Sequence, residues 1–331
     1  MEQKYLAVEV DELLVRMGIL TGDGAFLCRK DFPTRREWSG TYILSDIQAA
    51  AHQMMMEQGL STEAVGGACI ALPGRVSEEG ILAGSDCLGW GVLDVAGILG
   101  RLLQLPVKAV QKIHASVAGE HWQGAGKSED NIVLISLGPV VESGILLNGD
   151  VFTGADGNAG MLCHLCVKPG SALDFGHDFA TGSYSALELQ GSRSCRRDGN
   201  GCLGQYVSDA GIERMAAKEF HLDLTAKEVF AQAAEKDEKA VRVVKRISHY
   251  LGLACAQAAC VLNPELFILR GNFARIEQAF LNDVQKQYRR YVFHEAQDCK
   301  FCTAQLGRDA ALYGCGAIAR KAGLQGRGEG I

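Results

Sequence analysis

Between Pro106 and His164 the sequence switches repeatedly between the two periods of regular structure, and that segment limits the folds open to the whole chain. It reads as the end of a strand (Pro106 to Val110), a helix from about Ile113 to Gln123, a hairpin with arms Asn131 to Leu137 and Gly144 to Leu147, and a Gly-rich turn ending in Cys163-His164. A meander followed by helices stands on both sides of this junction. Upstream, Tyr5 to Val10 and Val15 to Leu20 alternate as strands, and Asp23-Gly24 turns the chain into a third, Ala25 to Arg29. A helix from Ser45 to Gly59, with Ser45 as N-cap, precedes a buried strand, Gly66 to Leu72, which ends at Pro73-Gly74. A hairpin around Glu78 to Gly80 and an amphipathic helix, Leu93 to Leu103, complete this half.

Downstream, an irregular stretch runs to about Asn200. Helices are expected at Ser208 to Glu219, Ala226 to Glu235 and Lys239 to Leu262, the last stopped by Asn263-Pro264. A strand at Leu266 to Leu269 and helices at Ile276 to Tyr291 and Gly307 to Lys321 follow. Two similar α/β halves joined near residue 112 account for this order. The Gly-rich residues 325–331 read as a flexible tail.

Composition removes several classes of function. With 331 residues, 47% of them hydrophobic, the chain can bury a large core. It has no apolar run of about eighteen residues or more, and Met1 to Leu6 has neither a basic leader nor an apolar centre, so a cytoplasmic protein without a membrane partner is expected. The net charge is -6 and the basic residues are dispersed, which argues against a nucleic-acid surface. Twelve cysteines without an export signal read as reduced thiols, and Cys69, Cys255, Cys260 and Cys315, inside apolar runs, as small hydrophobes of the core.

A series of short motifs then falls into one collinear order: Pro73-Gly74, Leu88-Gly89-Trp90, Gly119-Glu120, Gly124-Ala125-Gly126, Ser136-Leu137-Gly138 and Leu147-Asn148-Gly149. Gly160 with His164, Gly201-Cys202 and Leu306-Gly307-Arg308-Asp309-Ala310 continue it. In this order and spacing the chain, from about Tyr5 to Ala322, resembles the ROK family of sugar kinases and sugar-responsive repressors. The resemblance implies an α/β, actin-like ATPase fold of the hexokinase and Hsp70 type (ribonuclease H-like), with two lobes around a cleft. Residues 1–112 would form the N-terminal lobe, rejoined by the last helix at about 310–322, and residues 113–309 the C-terminal lobe. It also implies a homodimer.

The chemistry that the resemblance implies is largely missing from this sequence. Kinases of this type cradle phosphates with the backbone N–H groups of Gly-rich turns, which only glycine lets approach so closely. The first such turn, DxGGT in the family, corresponds to Glu9-Val10-Asp11-Glu12-Leu13, with acids at both glycine positions. The second, near LGTGVGGG, corresponds to Leu137-Gly138-Pro139-Val140-Val141-Glu142-Ser143-Gly144. One carboxylate about 4 Å from a phosphate charge costs roughly 4 kcal/mol at an effective dielectric of about 20. Binding of ATP with magnesium in the family mode is therefore not expected. The catalytic base of NDxN becomes Lys112 within Gln111-Lys112-Ile113-His114, and an ammonium cannot accept the proton of a sugar hydroxyl. His114 is the one nearby replacement, against its reading as a structural histidine. The ExGH motif reads Met161-Leu162-Cys163-His164, and a further sugar-binding glutamate corresponds to Gly204, so that Gly74 and His164 remain of the hexose site.

A zinc site is the remaining implication. The family joins the histidine of ExGH to three cysteines of CxCGxxGC; here His164, Cys195 and Cys202 remain, Arg197 stands for the middle cysteine, and Cys166 or His177 could complete the set. Ordinary thiols in a metal-free loop are the alternative, and Cys299-Lys300-Phe301-Cys302 reads as structural. Three functions follow in order of preference. The first is a pseudo-kinase that binds an unidentified small molecule, with Lys112 paired to Asp11, Glu12 or Glu142. The second is an active ATP-dependent sugar or amino-sugar kinase. The third is the effector part of a sugar-responsive repressor, for whose helix-turn-helix a first strand at Tyr5 leaves no room.

Overall fold

The computed structural model of the chain describes residues 3–35, 40–168 and 201–325. The chain divides into two compact units, one of Met1–Ile132, Gly144–Ala159 and Ala304–Ile331, the other of Val133–Ser143 and Gly160–Thr303.

The first unit is built on strands β1 (Lys4–Val10), β2 (Leu14–Leu20) and β3 (Phe26–Pro33), helix α1 (Thr41–Glu57), β4 (Val65–Leu72), the short pair β5 (Ile81–Leu82) and β6 (Leu93–Asp94), α2 (Val95–Leu103), β7 (Val107–Gln111) and α3 (Lys112–Gln123). Its sheet has the order β3-β2-β1-β4-β7, antiparallel through β3-β2-β1 and parallel through β1-β4-β7. Both faces of β1 and β4 are covered, which is why their sequences, Tyr5 to Val10 and Ala68 to Leu72, are nearly continuous apolar runs. Leu6, Val8 and Ile70 pack with Ile47 and Met54 of α1 and Leu99 of α2. On the opposite face Ala7, Cys69 and Ala71 meet Ala115 of α3 and Ala311, Leu312 and Cys315 near the chain end.

The second sheet, of order β10-β9-β8-β11-β12, contains β8 (Ile132–Ser136), β9 (Glu142–Leu147), β10 (Asp150–Val151), β11 (Leu266–Arg270) and β12 (Lys300–Thr303). Helices α4 (Gly204–Val207), α5 (Asp209–Phe220), α6 (Ala226–Ala234), α7 (Glu238–Leu262) and α8 (Glu277–Tyr291) belong to the second unit, and α9 (Ala310–Gln325) returns to the first. Asn263, left-handed at φ 43°, closes α7 as its asparagine-proline pair requires, and the Ser208 hydroxyl caps α5 by accepting from Gly211 N–H at 3.2 Å. Among the described residues no helix is long and apolar enough to cross a membrane.

Several details differ from the sequence reading. Helix α1 begins at Thr41, capped by left-handed Gly40 and not by Ser45, because Ile43 and Leu44 already lie on its buried face. The Asp94 carboxylate accepts from Gly97 N–H at 2.9 Å, so α2 starts after Asp94 and Leu93 falls in β6. Cys69, Cys255 and Cys315 are buried, but Cys260 is exposed, since five residues along α7 from Cys255 is about 140° around the helix axis. Strand β12, parallel to β11, was not expected, its sequence Lys-Phe-Cys-Thr being too short and mixed to show a period. Of the proposed tail, Gln325 is the last residue of α9 and the rest lies outside the described residues.

Helices α3 and α9 approach so closely that side chains are excluded. A Cβ at Gly314 would stand 1.6 Å from the Ala115 carbonyl oxygen, and one at Gly119 would stand 2.0 Å from that of Ala310. Both obstacles are backbone atoms. Gly314→Ala should therefore cost about 1–3 kcal/mol in denaturant unfolding. Gly91→Ala, with no neighbour within 4 Å, should stay within about 0.5 kcal/mol of the parent. Equal midpoints for the two variants would show that the helices do not meet in this way.

Candidate functional site

Residues of β1, β2, the start of α3 and the approach to α9 converge on one buried carboxylate in the first unit. Alternation along β1 puts Glu9 on the face that carries Ala7, toward α9, and hairpin register puts it directly opposite Arg16 of β2. Glu9 is 2% exposed and Arg16 9% exposed. Arg16 donates through Nη1 to Glu9 Oε2 at 3.0 Å and to the Arg308 carbonyl oxygen at 2.5 Å, and through Nη2 to Asp309 Oδ1. Asp309 Oδ2 accepts from Arg29 Nη1 at 2.7 Å. The second oxygen of Glu9, Oε1, lies 3.0 Å from Lys112 Nζ, which also donates to Asp11 Oδ2 at 2.5 Å. Glu9 is thus held between a guanidinium and an ammonium. Residues of α3's entry, both strands of the opening hairpin and the Arg308-Asp309 turn are fastened through it.

These contacts shift the ionisations in a consistent sense. Burial works against the charge of Lys112, but Glu9 and then Asp11 outweigh it and hold its pKa above the usual lysine value. Burial likewise opposes the charge of Arg16, and Asp309 and Glu9 overcome it. For Asp309, burial would raise the pKa, yet hydrogen bonds from Arg29 and Arg16 pull it below the ordinary carboxylate range. Lys112 is therefore an ammonium at neutral pH.

The expected partnership of Lys112 with an acid of the first turn is present with Asp11, and Glu9 is a second partner. Sequence reasoning gave no role to Arg16, Arg29 or Asp309. A signal existed: an arginine opposite a glutamate in two otherwise apolar strands of one hairpin is a cross-strand charge pair. Glu12 is exposed, its N–H donating to Asp11 Oδ1 at 2.8 Å. Gly119-Glu120, noted as a motif, is structural in its contacts. Glu120, fully buried, accepts from Ala125 N–H at 2.9 Å, Gln305 N–H at 3.1 Å and Leu306 N–H at 2.9 Å.

The other named residues fall in both units. Gly74, at φ 142°, has Gly84 packed against it, with the Gly84 carbonyl oxygen 2.5 Å from where a Cβ would stand. Gln111 and His114 are both buried and line a cavity of about 710 Å³ in the first unit. In the second unit Pro139 is exposed at the tip of the β8–β9 turn, the Gly138 carbonyl accepts from Asp209 N–H at 2.9 Å, and Glu142 opens β9, half-buried. Met161 and His164 are exposed.

Of the zinc candidates, Cys166 and Cys202 are partners in an isolated β-bridge, and Cys195, with His177 and Arg197, lies outside the described residues. Among the described residues no three histidine, cysteine or acidic side chains are placed to hold a metal ion. Burial and the neighbouring Cys202 push the Cys163 thiol up to about 11, so it is protonated at neutral pH.

Two expectations follow from the ion network. Glu9→Gln leaves two cations buried beside a neutral amide and should cost about 3–5 kcal/mol in denaturant unfolding. Because the folded pKa of Lys112 is raised, its stabilisation is complete below its unfolded value of about 10.4 and is lost as pH rises through the folded value. The stability difference between the parent and Lys112→Met should accordingly be flat from about pH 6 to 9 and shrink in more alkaline solution. A difference that grows with alkalinity would contradict the pairing.

Comparison with known proteins adds a family. The model for the ROK family matches residues 5–322. A glucokinase of Halalkalibacterium halodurans is 28% identical, over 96% of this chain and 95% of that protein. Among solved structures, the ROK hexokinase of Thermus thermophilus superposes with a TM-score of 0.78 at 22% identity, covering 98% of this chain and 100% of that one. A ROK family transcriptional regulator, a homologue of the E. coli MLC protein, gives 0.80 at 21% identity, covering 98% and 80%.

Proposed function

Since this chain belongs to the ROK family and shares its actin-like ATPase fold, we propose that it is a pseudo-kinase, in which the fold serves binding or regulation and phosphate is not transferred. The observation that carries this reading is the state of Lys112. Transfer to a sugar hydroxyl needs a carboxylate that accepts the hydroxyl proton as the bond to phosphorus forms. The residue at the corresponding position is an ammonium whose lone pair is already protonated and whose hydrogens are directed at Glu9 and Asp11. Deprotonating it would leave two carboxylates beside an amine that no longer balances them. The first phosphate turn supports the same reading, since Asp11 and Glu12 take the places of its glycines and Asp11 is committed to Lys112.

A second reading, an active ATP-dependent sugar or amino-sugar kinase, is favoured by the likeness to a glucokinase along almost the whole chain. One pair of measurements separates the two. With ATP and magnesium, a panel of hexoses and amino sugars should give no ADP release above the protein-free background, and calorimetric titration with ATP and magnesium should give no micromolar binding. Sugar-dependent ADP release that scales with protein concentration and is lost on replacing Asp11 would establish the kinase instead. A regulatory role akin to that of the repressor relatives predicts a sugar-dependent rise in melting temperature without turnover.

A further inference from the structure

The first unit holds a second feature, a cavity that shares Gln111 and His114 with the NDxN-like segment but not the base position Lys112. The cavity of about 710 Å³ runs along β7, the edge strand of the first sheet, and is walled by α3, α9 and the β9–β10 hairpin. Its size falls in the range of small-molecule sites, roughly 300–1,000 Å³. Neither Glu9, Asp11 nor Lys112 lines it.

Its charge is opposite to that of the protein. Lys108, Lys127, Arg320 and Lys321 line it against two acids, Glu78 and Asp150, an excess of two positive charges in a chain of net charge -6. Lys321 is paired with Asp150. Lys108, Lys127 and Arg320 meet no acid among the described residues.

Two buried nitrogens in the lining lack partners. Arg320, whose guanidinium lies 5.5 Å over the Trp122 ring, has its Nε buried and without an acceptor. His114, 1% exposed, also has a partnerless Nε2. The hydrogen bond between the His114 ring and the Ala159 backbone favours the protonated ring, so the ring is its donor, and burial keeps the imidazole neutral. With Nδ1 carrying that proton, Nε2 presents a bare lone pair. An unpaired buried group of this kind has an energetic need for a partner.

We propose that this cavity is a binding site for a phosphate monoester of a small hydroxylated molecule. The phosphate dianion would lie toward Lys108, Lys127 and Arg320, a hydroxyl would donate to His114 Nε2, and the apolar face of the carbon skeleton would rest near Trp122. The charge excess of two matches the dianion, and the lone pair of His114 selects a hydroxyl over a second acceptor. This site goes beyond the pseudo-kinase reading and stands or falls separately from it, because the kinase assay reports on Lys112 and Asp11.

The test uses the full chain, with glucose 6-phosphate and ribose 5-phosphate as probes. Glucose, ribose, gluconate and inorganic phosphate serve as counterparts, and tryptophan emission and melting temperature as readouts. The phosphate esters should give saturable changes in both, weakening as salt rises. Lys108 and Lys127 are exposed, so Lys108→Glu with Lys127→Glu should leave the circular dichroism and melting temperature of the free protein unchanged while weakening ester binding by at least about tenfold. Trp122→Phe should remove the emission change but keep the thermal shift. The proposal is overturned if neither ester gives a saturable signal at about 10 mM. It also fails if the double variant binds as tightly as the parent, or if inorganic phosphate or the neutral sugars match the esters. Gluconate binding as tightly as glucose 6-phosphate would overturn the choice of a phosphate ligand.

Discussion

The first unit depends on a carboxylate that has no access to water. Glu9 sits at the end of β1, 2% exposed, and an unpaired charge there would be prohibitive. It is tolerated because Arg16 and Lys112 approach its two oxygens from opposite sides. Each partner brings a further constraint. Arg16 reaches on to the Arg308 carbonyl and Asp309, and Lys112 reaches on to Asp11. The geometry of the first turn, the entry to α3 and the entry to α9 are consequently linked through one group. A buried pair of this kind contributes little net stability relative to well-packed apolar residues, but removing one partner is costly. Its effect is to fix which groups face one another.

That linkage bears on the chemistry the fold can support. A turn that cradles phosphate must offer free N–H groups and a local excess of positive charge. Here the charges around the turn are already matched, Glu9 and Asp11 by Lys112, Glu9 and Asp309 by Arg16. The repulsion expected between these acids and a bound phosphate is thereby reduced, and a different obstacle takes its place. A nucleotide would have to break ion pairs before making its own. On the proposed reading, the pairing of Lys112 is what maintains an intact first unit without a ligand.

The arrangement was legible in unequal measure. Long periodic segments were readable because each has a buried stripe or a continuous apolar run: α7 from Glu238 to Leu262 and β4 from Val65 to Leu72 are examples. Boundaries failed at Gly40, where a tertiary contact with the Trp90 ring decides, and at Asp94, where a local N-cap bond from Gly97 N–H overrides the apolar period. Strand β12 failed because four residues carry no period. Lys112 and Asp11 were assigned to the site from motif positions, but Asp309 was named only within a motif and given no role, and Arg16 was not named. Their 293-residue separation is spanned only when α9 returns to the first sheet. The partnerless Nε2 of His114 was equally invisible, since a lone histidine after a strand says nothing about what its ring nitrogens meet.

The distribution of glycines separates the demands of packing from those of phosphate binding. Gly119 and Gly314 are required by the contact of α3 with α9, where any side chain would meet a backbone oxygen, and Gly74 by the approach of Gly84. These are present. The positions at which the family resemblance implies a phosphate-cradling glycine carry Asp11 and Glu12 in the first turn and Val140, Glu142 and Ser143 in the second, where Gly138 and Gly144 remain. On the proposed reading, the packing glycines face backbone atoms that admit no side chain, while the substituted positions of the phosphate turns carry side chains with other partners. In the first turn Asp11 has such a partner in the ammonium of Lys112.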